Sequence, residues 1–337
     1  MQIQKNQNTF YAGLALLAFR WVIGWTYFSA FWRRLVLENK LIPEEAGYIG
    51  EKFNHFLPNA LGIKLIIEYL VLHPEALQLS MVIFTIVEAV VGLLLILGLF
   101  TRLMGIGVFG LAMGILLGSG WIGTTCLDEW QIGILGVAGG FTIFLAGSSA
   151  YSFDNYLVKK NPALQDKKWF RWFASGDLPI ANIQKIVLPV SILLIGLTLF
   201  TNQVFHGGVW GKLHNKSVRP KVEISNIRLD SGQLQFQVYR VEGADVYGSF
   251  LIGIEILDSG GEVLLSLDGK DLAEFSKDRI HNHYVTKVKP GKHSLIIPLG
   301  AKADLTLPVS GINIQKGNQI RLIDVSGIEW IEEIEEI

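Results

Sequence analysis

The chain has 337 residues, 50% of them hydrophobic, and a formal net charge of −1. A mean hydropathy of +0.39 is too apolar for an ordinary soluble protein and implies an integral membrane protein that carries a soluble part. The near-neutral balance removes the electrostatic case for nucleic acid, and the single cysteine, Cys126, rules out an intrachain disulfide and any multi-cysteine metal site.

Five stretches approach the roughly 20 apolar residues that a membrane span needs. They are Phe10–Trp32, Leu77–Leu99, Leu103–Leu117, Trp130–Ala146 and Ile183–Phe200. The first is read as a span and not as a cleaved leader, because Arg20 interrupts it and it ends in Phe31-Trp32-Arg33-Arg34 with no small-residue cleavage site. Between the third and fourth lies "GSGWIGTTCLDEW", which gathers Trp121, Cys126, Asp128, Glu129 and Trp130 into one short turn. The connection between the fourth and fifth carries Lys159, Lys160, Lys167, Lys168 and Arg171, which places it in the cytoplasm. The N-terminus is then cytoplasmic as well. The 33–76 loop, the 118–129 turn and everything after Phe200 fall outside a cytoplasmic (inner) membrane. The 33–76 loop runs against the positive-inside rule with Arg33, Arg34, Lys40, Lys52 and Lys64.

After a linker at 204–218 the texture changes. "KVEISNIRL", "QLQFQVYRV", "SFLIGIEIL", "HNHYVTKV", "HSLIIPL" and "NQIRLIDV" read as strands, separated by turn signals such as Asp230-Ser231-Gly232 and Pro290-Gly291. Such a series predicts an immunoglobulin-like β-sandwich over 219–337, following a membrane domain at 1–203. The closing "IEWIEEIEEI" reads as an acidic tail, and no internal repeat is evident.

Arg20 and Glu88 fall within spans. Ionisable groups there are costly and usually face a partner in the bundle interior. Each lies about ten residues, or roughly 15 Å, from the inner end of its span, which predicts a buried Arg20–Glu88 pair. Such a pair serves either as a clasp fixing helix registry or as part of a quinone site or proton path.

The run "VEAVVGLLLILGLFTRLMGIGVFGLAM" (87–113) resembles the DoxX superfamily, as does "FRWVIGWTYFSAFWRR" in the opening span. A longer membrane part followed by a sandwich resembles the DoxD and DoxA subunits of thiosulfate:quinone oxidoreductase joined in one chain, and 281–308 looks like the DoxA part. The resemblance implies a helical bundle of about five transmembrane helices with a four-helix DoxX-like core and an extracytoplasmic sandwich. It also implies oxidation of two thiosulfates to tetrathionate, with a membrane quinone as electron acceptor.

That chemistry constrains the site. Two thiosulfate dianions repel by roughly 16 kcal/mol at about 4 Å and an effective dielectric near 20, so cations are needed unless the two react in turn through a covalent intermediate. Arg33 and Arg34, at the outer end of the first span, suit oxyanion binding. They equally suit interfacial snorkelling. Cys126 is either a nucleophile that holds a sulfane sulfur or an inert small hydrophobe, and neighbouring Asp128 and Glu129 raise a thiol pKa. Those acids, or Glu88, are candidate proton donors to the quinone, while Asp128 also suits the start of a helix. Arg20, Trp25, Phe28, Glu88, Trp121 and Trp130 are the candidate quinone-binding set, although an aromatic belt explains many such tryptophans.

No haem, flavin or dinucleotide motif is visible, and His281 with His283 makes only two potential metal ligands. The expected partners are thiosulfate, quinone and the lipid bilayer, with homo-oligomerisation left open. Two alternatives remain at this point. One is a non-enzymatic DoxX-type subunit that anchors a partner redox protein. The other, favoured only by an intramembrane ion pair, is a small-solute carrier.

Overall fold

A computed structural model describes residues 10–43, 45, 47–123, 128–244 and 249–335. Its larger helices, in chain order, are α1 (Leu17–Phe31), α2 (Glu51–Phe56), α3 (Lys64–Leu72), α4 (Pro74–Leu97), α5 (Thr101–Ser119), α6 (Asp128–Ala146), α7 (Phe153–Lys160), α8 (Lys168–Phe173) and α9 (Gln184–Phe205). Four of them, α4, α5, α6 and α9, are long and apolar enough to cross a membrane, so this is an integral membrane protein. The fifth expected span is represented by the 15 residues of α1. Helical residues 10–15 precede α1, and a π-helix, Trp32–Leu37, continues it.

Two compact units form, and they do not follow chain order. One holds the membrane helices. The other gathers residues 50–77, 121–123 and 214–335 around the C-terminal strands. Three connections from different parts of the chain therefore share one unit.

In the helical unit, glycines set the packing. A Cβ on Gly92 of α4 would lie 2.5 Å from the Phe28 nitrogen and 2.6 Å from the Gly24 oxygen of α1. A Cβ on Gly140 of α6 would meet the Phe109 nitrogen and Gly105 oxygen of α5 at the same 2.5 and 2.6 Å. Backbones this close require glycine. The α1/α4 and α5/α6 pairs thus share one geometry, an internal repeat that the sequence did not reveal because only scattered glycines carry it. At the end of the bundle where α5 begins, the fully buried Asp154 carboxylate accepts from the Phe100 and Thr101 backbone N–H groups at 2.8 and 3.1 Å. It also accepts from the hydroxyls of Thr101, Ser148 and Ser175 at 2.9, 3.3 and 2.7 Å. One carboxylate thereby satisfies the first N–H groups of α5 and ties down the chain after α6.

The second unit is a sandwich of two antiparallel sheets. Its strands are β1 (Lys221–Asp230), β2 (Gln233–Glu242), β3 (Ser249–Leu257), β4 (Val263–Leu267), β5 (Ile280–Asn282), β6 (Lys289–Pro290), β7 (Leu295–Ile297), β8 (Lys302–Pro308), β9 (Gln319–Asp324) and β10 (Glu329–Glu333). One sheet runs β1-β2-β8-β5; the other runs β10-β9-β3-β7-β6, with β4 also paired to β3. Their inner faces share a core that includes Leu234, Phe236, Val238, Leu251, Ile254, Leu305 and Ile320. The acidic end is not a tail. Glu329–Glu333 pairs with β9, Trp330 packs on the core, and Ile334 is buried.

Helices α2 and α3 fold onto this sandwich. Leu57, Ile67 and Val71 bury against Tyr284 and Tyr239. Asn54 donates to Gly300 O at 3.1 Å and accepts from Thr286 N at 3.1 Å. Tyr284 donates to Glu68 Oε1 at 2.9 Å.

Candidate functional site

The π-helical turn after α1 gives its residues a wider spacing than an α-helix does. Two adjacent arginines there take different environments. Arg33 is exposed, while the Arg34 side chain is only 14% exposed and turns inward. Arg34 Nη1 donates to Glu88 Oε2 at 2.5 Å and to Thr85 Oγ1 at 3.1 Å. Its guanidinium also stands over the Phe84 ring, 5.6 Å from the centroid. Glu88 and Thr85 are buried in α4, and buried Tyr27 packs beside Phe84 and Val91. A carboxylate, a guanidinium and a threonine hydroxyl thus meet beside apolar side chains of the bundle.

This corrects the expected Arg20–Glu88 pair. Gly24 meets Ile96, and Phe28 meets Gly92. Continuing that antiparallel count sets Glu88 opposite Trp32, and Arg20 beyond the end of α4. Helix one therefore overhangs α4, and equal distances from the span ends do not mean equal depths. Arg20 is buried and donates to Tyr151 O at 2.7 Å.

The other expected site residues separate. Trp25 is 58% exposed on the outside of α1. Phe28 is half-buried among the rings of Trp25, Phe31 and Trp32, with centroids 6.1, 5.6 and 6.1 Å away. Trp130 donates to Thr201 Oγ1 at 3.0 Å, linking α6 to α9. Asp128 and Glu129 occupy the first turn of α6, where carboxylates favour the helix dipole. Trp121 belongs to the sandwich unit, fully buried, with its indole N–H on Phe56 O at 3.1 Å. Cys126 lies outside the described residues.

Sequence reasoning missed Thr85 and Phe84. Thr85 stands three residues before Glu88 and so shares its helix face, which was the available signal. It also missed a polar group on the sandwich. Asp304 accepts from Gln237 at 2.8 Å and from His283 at 2.9 Å. Partial burial pushes the Asp304 carboxyl up, but the hydrogen bonds from Gln237 and His283 and the nearby His281 outweigh it, leaving the pKa below its ordinary value. Burial raises both Tyr239 and Tyr284, and the Glu68 carboxylate raises Tyr284 further. Among the described residues, no group of three or more His, Cys, Asp or Glu side chains is placed to hold a metal ion.

No solved structure matches the chain at a significant level. Two family models match it in tandem. The model described as TQO small subunit DoxD covers residues 15–201, and that described as TQO small subunit DoxA covers 205–333. The helical and sandwich parts of the sequence thus each fall under one of the two, and the chain belongs to the DoxD family, with a DoxA region following in the same polypeptide.

Proposed function

We propose that this protein is a thiosulfate:quinone oxidoreductase that joins two thiosulfates into tetrathionate at the extracytoplasmic face and reduces a membrane quinone. The observation that carries the reading is the tandem of two TQO subunit families in one chain. Forming the S–S bond releases two electrons and no protons. Quinone accepts those two electrons together with two protons, so a buried proton-transfer group is needed on the quinone side.

The Arg34–Thr85–Glu88 cluster fits that need. A quinone carbonyl oxygen requires N–H or O–H donors, which Arg34 and Thr85 provide. Its ring requires a flat apolar wall, which Phe84 and Phe28 provide. Glu88 holds the proton that passes to the quinone, and Arg34 keeps its carboxylate oriented between transfers. Arg33, exposed beside Arg34, draws the anionic substrate toward the same end of α1. Asp128 and Glu129 at the start of α6 relay protons from water, and Cys126 is the residue available for a covalent sulfur route.

The placement of 50–77, 121–123 and 214–335 in one unit supports a common side for these three connections. The basic 159–171 connection leaves the opposite ends of the helices and supports a cytoplasmic location there.

The test is thiosulfate-dependent reduction of a ubiquinone or menaquinone analogue by the purified full-length chain. Two thiosulfates should disappear for each quinol formed, with tetrathionate as product. Absence of turnover with either quinone contradicts the proposal and favours a subunit that anchors a partner redox protein.

A further inference from the structure

Helix α3 carries apolar side chains on two opposite faces. Toward the sandwich it presents Ile67 and Val71, which bury with Leu57 and Tyr284, and Glu68, which accepts from the Tyr284 hydroxyl. Away from the sandwich stand Leu65, Ile66, Tyr69 and Leu72, which are 82%, 62%, 56% and 49% exposed. At roughly 100° per residue, these four fall within one arc of about 120°, with Ile67 and Val71 on the far side. Apolar residues scattered singly on a surface are ordinary, but a contiguous apolar face marks a place of contact.

The chain itself limits what can cover this face. Helix α3 ends at Leu72 and the membrane-spanning α4 begins at Pro74, with His73 alone between them. Two Cα–Cα steps reach at most about 7.6 Å. The polar layer on each side of the hydrocarbon core is roughly 5–7 Å thick, so the end of α3 stays within about one such layer of the start of α4. The corner is compact: His73 Nδ1 lies 2.7 Å from Tyr69 O, and the two rings stack with centroids 4.3 Å apart. Outward apolar surface resumes on α4 at Leu79 and Ile83, 62% and 53% exposed. Tyrosine suits the boundary between headgroups and hydrocarbon, where Tyr69 then stands.

We infer that α3 is an interfacial helix, with Leu65, Ile66, Tyr69 and Leu72 seated in the bilayer surface and the opposite face carrying the sandwich. The partner is the phospholipid surface itself, at the depth of the headgroups and upper acyl chains. None of the four side chains is charged, so contact is apolar and selects no headgroup charge. Ile67, Val71 and the Glu68–Tyr284 bond then fasten the sandwich to a helix held in lipid. The inference concerns attachment to the membrane and does not depend on the proposed redox chemistry.

The test is spin-label accessibility in the full chain, reconstituted in nanodiscs of dioleoyl phosphatidylcholine. Leu65→Cys, Ile66→Cys, Tyr69→Cys and Leu72→Cys, each combined with Cys126→Ser, carry a nitroxide. Gln235→Cys, on an exposed position of β2, is the water-facing control. Collisions with oxygen, which concentrates in lipid, are compared with collisions with a water-soluble nickel chelate. The oxygen-to-nickel ratio should be higher at all four α3 positions than at Gln235→Cys, and highest at Leu65→Cys and Tyr69→Cys near the middle of the arc. Ratios on α3 equal to that of Gln235→Cys overturn the inference and leave the face in water. Low collision rates with both reagents also overturn it and place the face against protein; dipolar broadening between labels would then identify that protein as a second copy of the chain.

Discussion

Arg34 reaches from the turn after the first helix to Glu88, with Nη1 2.5 Å from the carboxylate, and both side chains are largely buried. Taking two charges out of water costs several kcal/mol each, and their attraction returns this only where the geometry is good. The same α4 turn supplies Thr85 as a second acceptor for Arg34. A clasp made for stability alone is readily replaced by apolar side chains, so stability and function can be separated at this pair.

Arg34→Ala leaves Glu88 buried without its partner and should destabilise the protein by about 3–5 kcal/mol. Arg34→Met combined with Glu88→Leu removes both charges and should recover most of that loss. Quinone reduction should remain absent in the double variant. Thermal unfolding in detergent, read beside activity, separates the two effects. Recovery of activity with stability would assign the pair a purely structural role.

Helix contact through glycine makes a sharper structural prediction. Gly92→Ala and Gly140→Ala each force a methyl into the facing backbone at 2.5 Å, costing about 1–3 kcal/mol. Gly110, with nothing within 4 Å of an added Cβ, should accept Ala within about 1 kcal/mol of the wild type. Unfolding midpoints of the three variants check this ranking.

The Tyr284–Glu68 bond joins α3 to the sandwich. Tyr284→Phe should weaken that attachment by about 1–3 kcal/mol and speed hydrogen exchange over residues 64–72. Because the folded phenol is raised above its ordinary value, its contribution is complete below the unfolded pKa near 10 and is lost as pH rises through the folded value. Wild-type stability should therefore fall on the alkaline side, and Tyr284→Phe should flatten that fall.

Asp304 predicts the opposite limb. Its folded pKa is depressed, so its contribution is present above the unfolded value near 3.9 and is lost as pH falls through the folded one. Its side chain is 38% exposed, so screening keeps the effect small. Asp304→Asn should lower the unfolding midpoint slightly at neutral pH, and the difference from the wild type should shrink as pH falls below about 4.

Much of this architecture was legible in the sequence, and the failures have physical causes. Long apolar runs located α4, α5, α6 and α9 to within a few residues. The alternation in β1, β2 and β3 marked the sandwich. The strand Lys302–Pro308 was missed, although Ala303, Leu305 and Leu307 alternate with polar neighbours. The acidic strand β10 was hidden by its glutamates, because an edge strand needs few apolar residues. Glu88 stood out as an intramembrane acid, but its partner did not. That choice depends on the offset imposed by Gly24 and Gly92, which a count from helix ends cannot supply. The docking of α2 and α3 on the sandwich depends on residues more than 200 positions away in sequence, beyond any local pattern.

The most direct test of the central claim compares wild type and Glu88→Gln with two electron acceptors, a quinone analogue and a one-electron acceptor that takes up no proton. The account predicts that Glu88→Gln loses about 100-fold or more of its thiosulfate-dependent quinone reduction while retaining tetrathionate formation with the proton-independent acceptor. Quinone reduction at the wild-type rate in folded Glu88→Gln would contradict it.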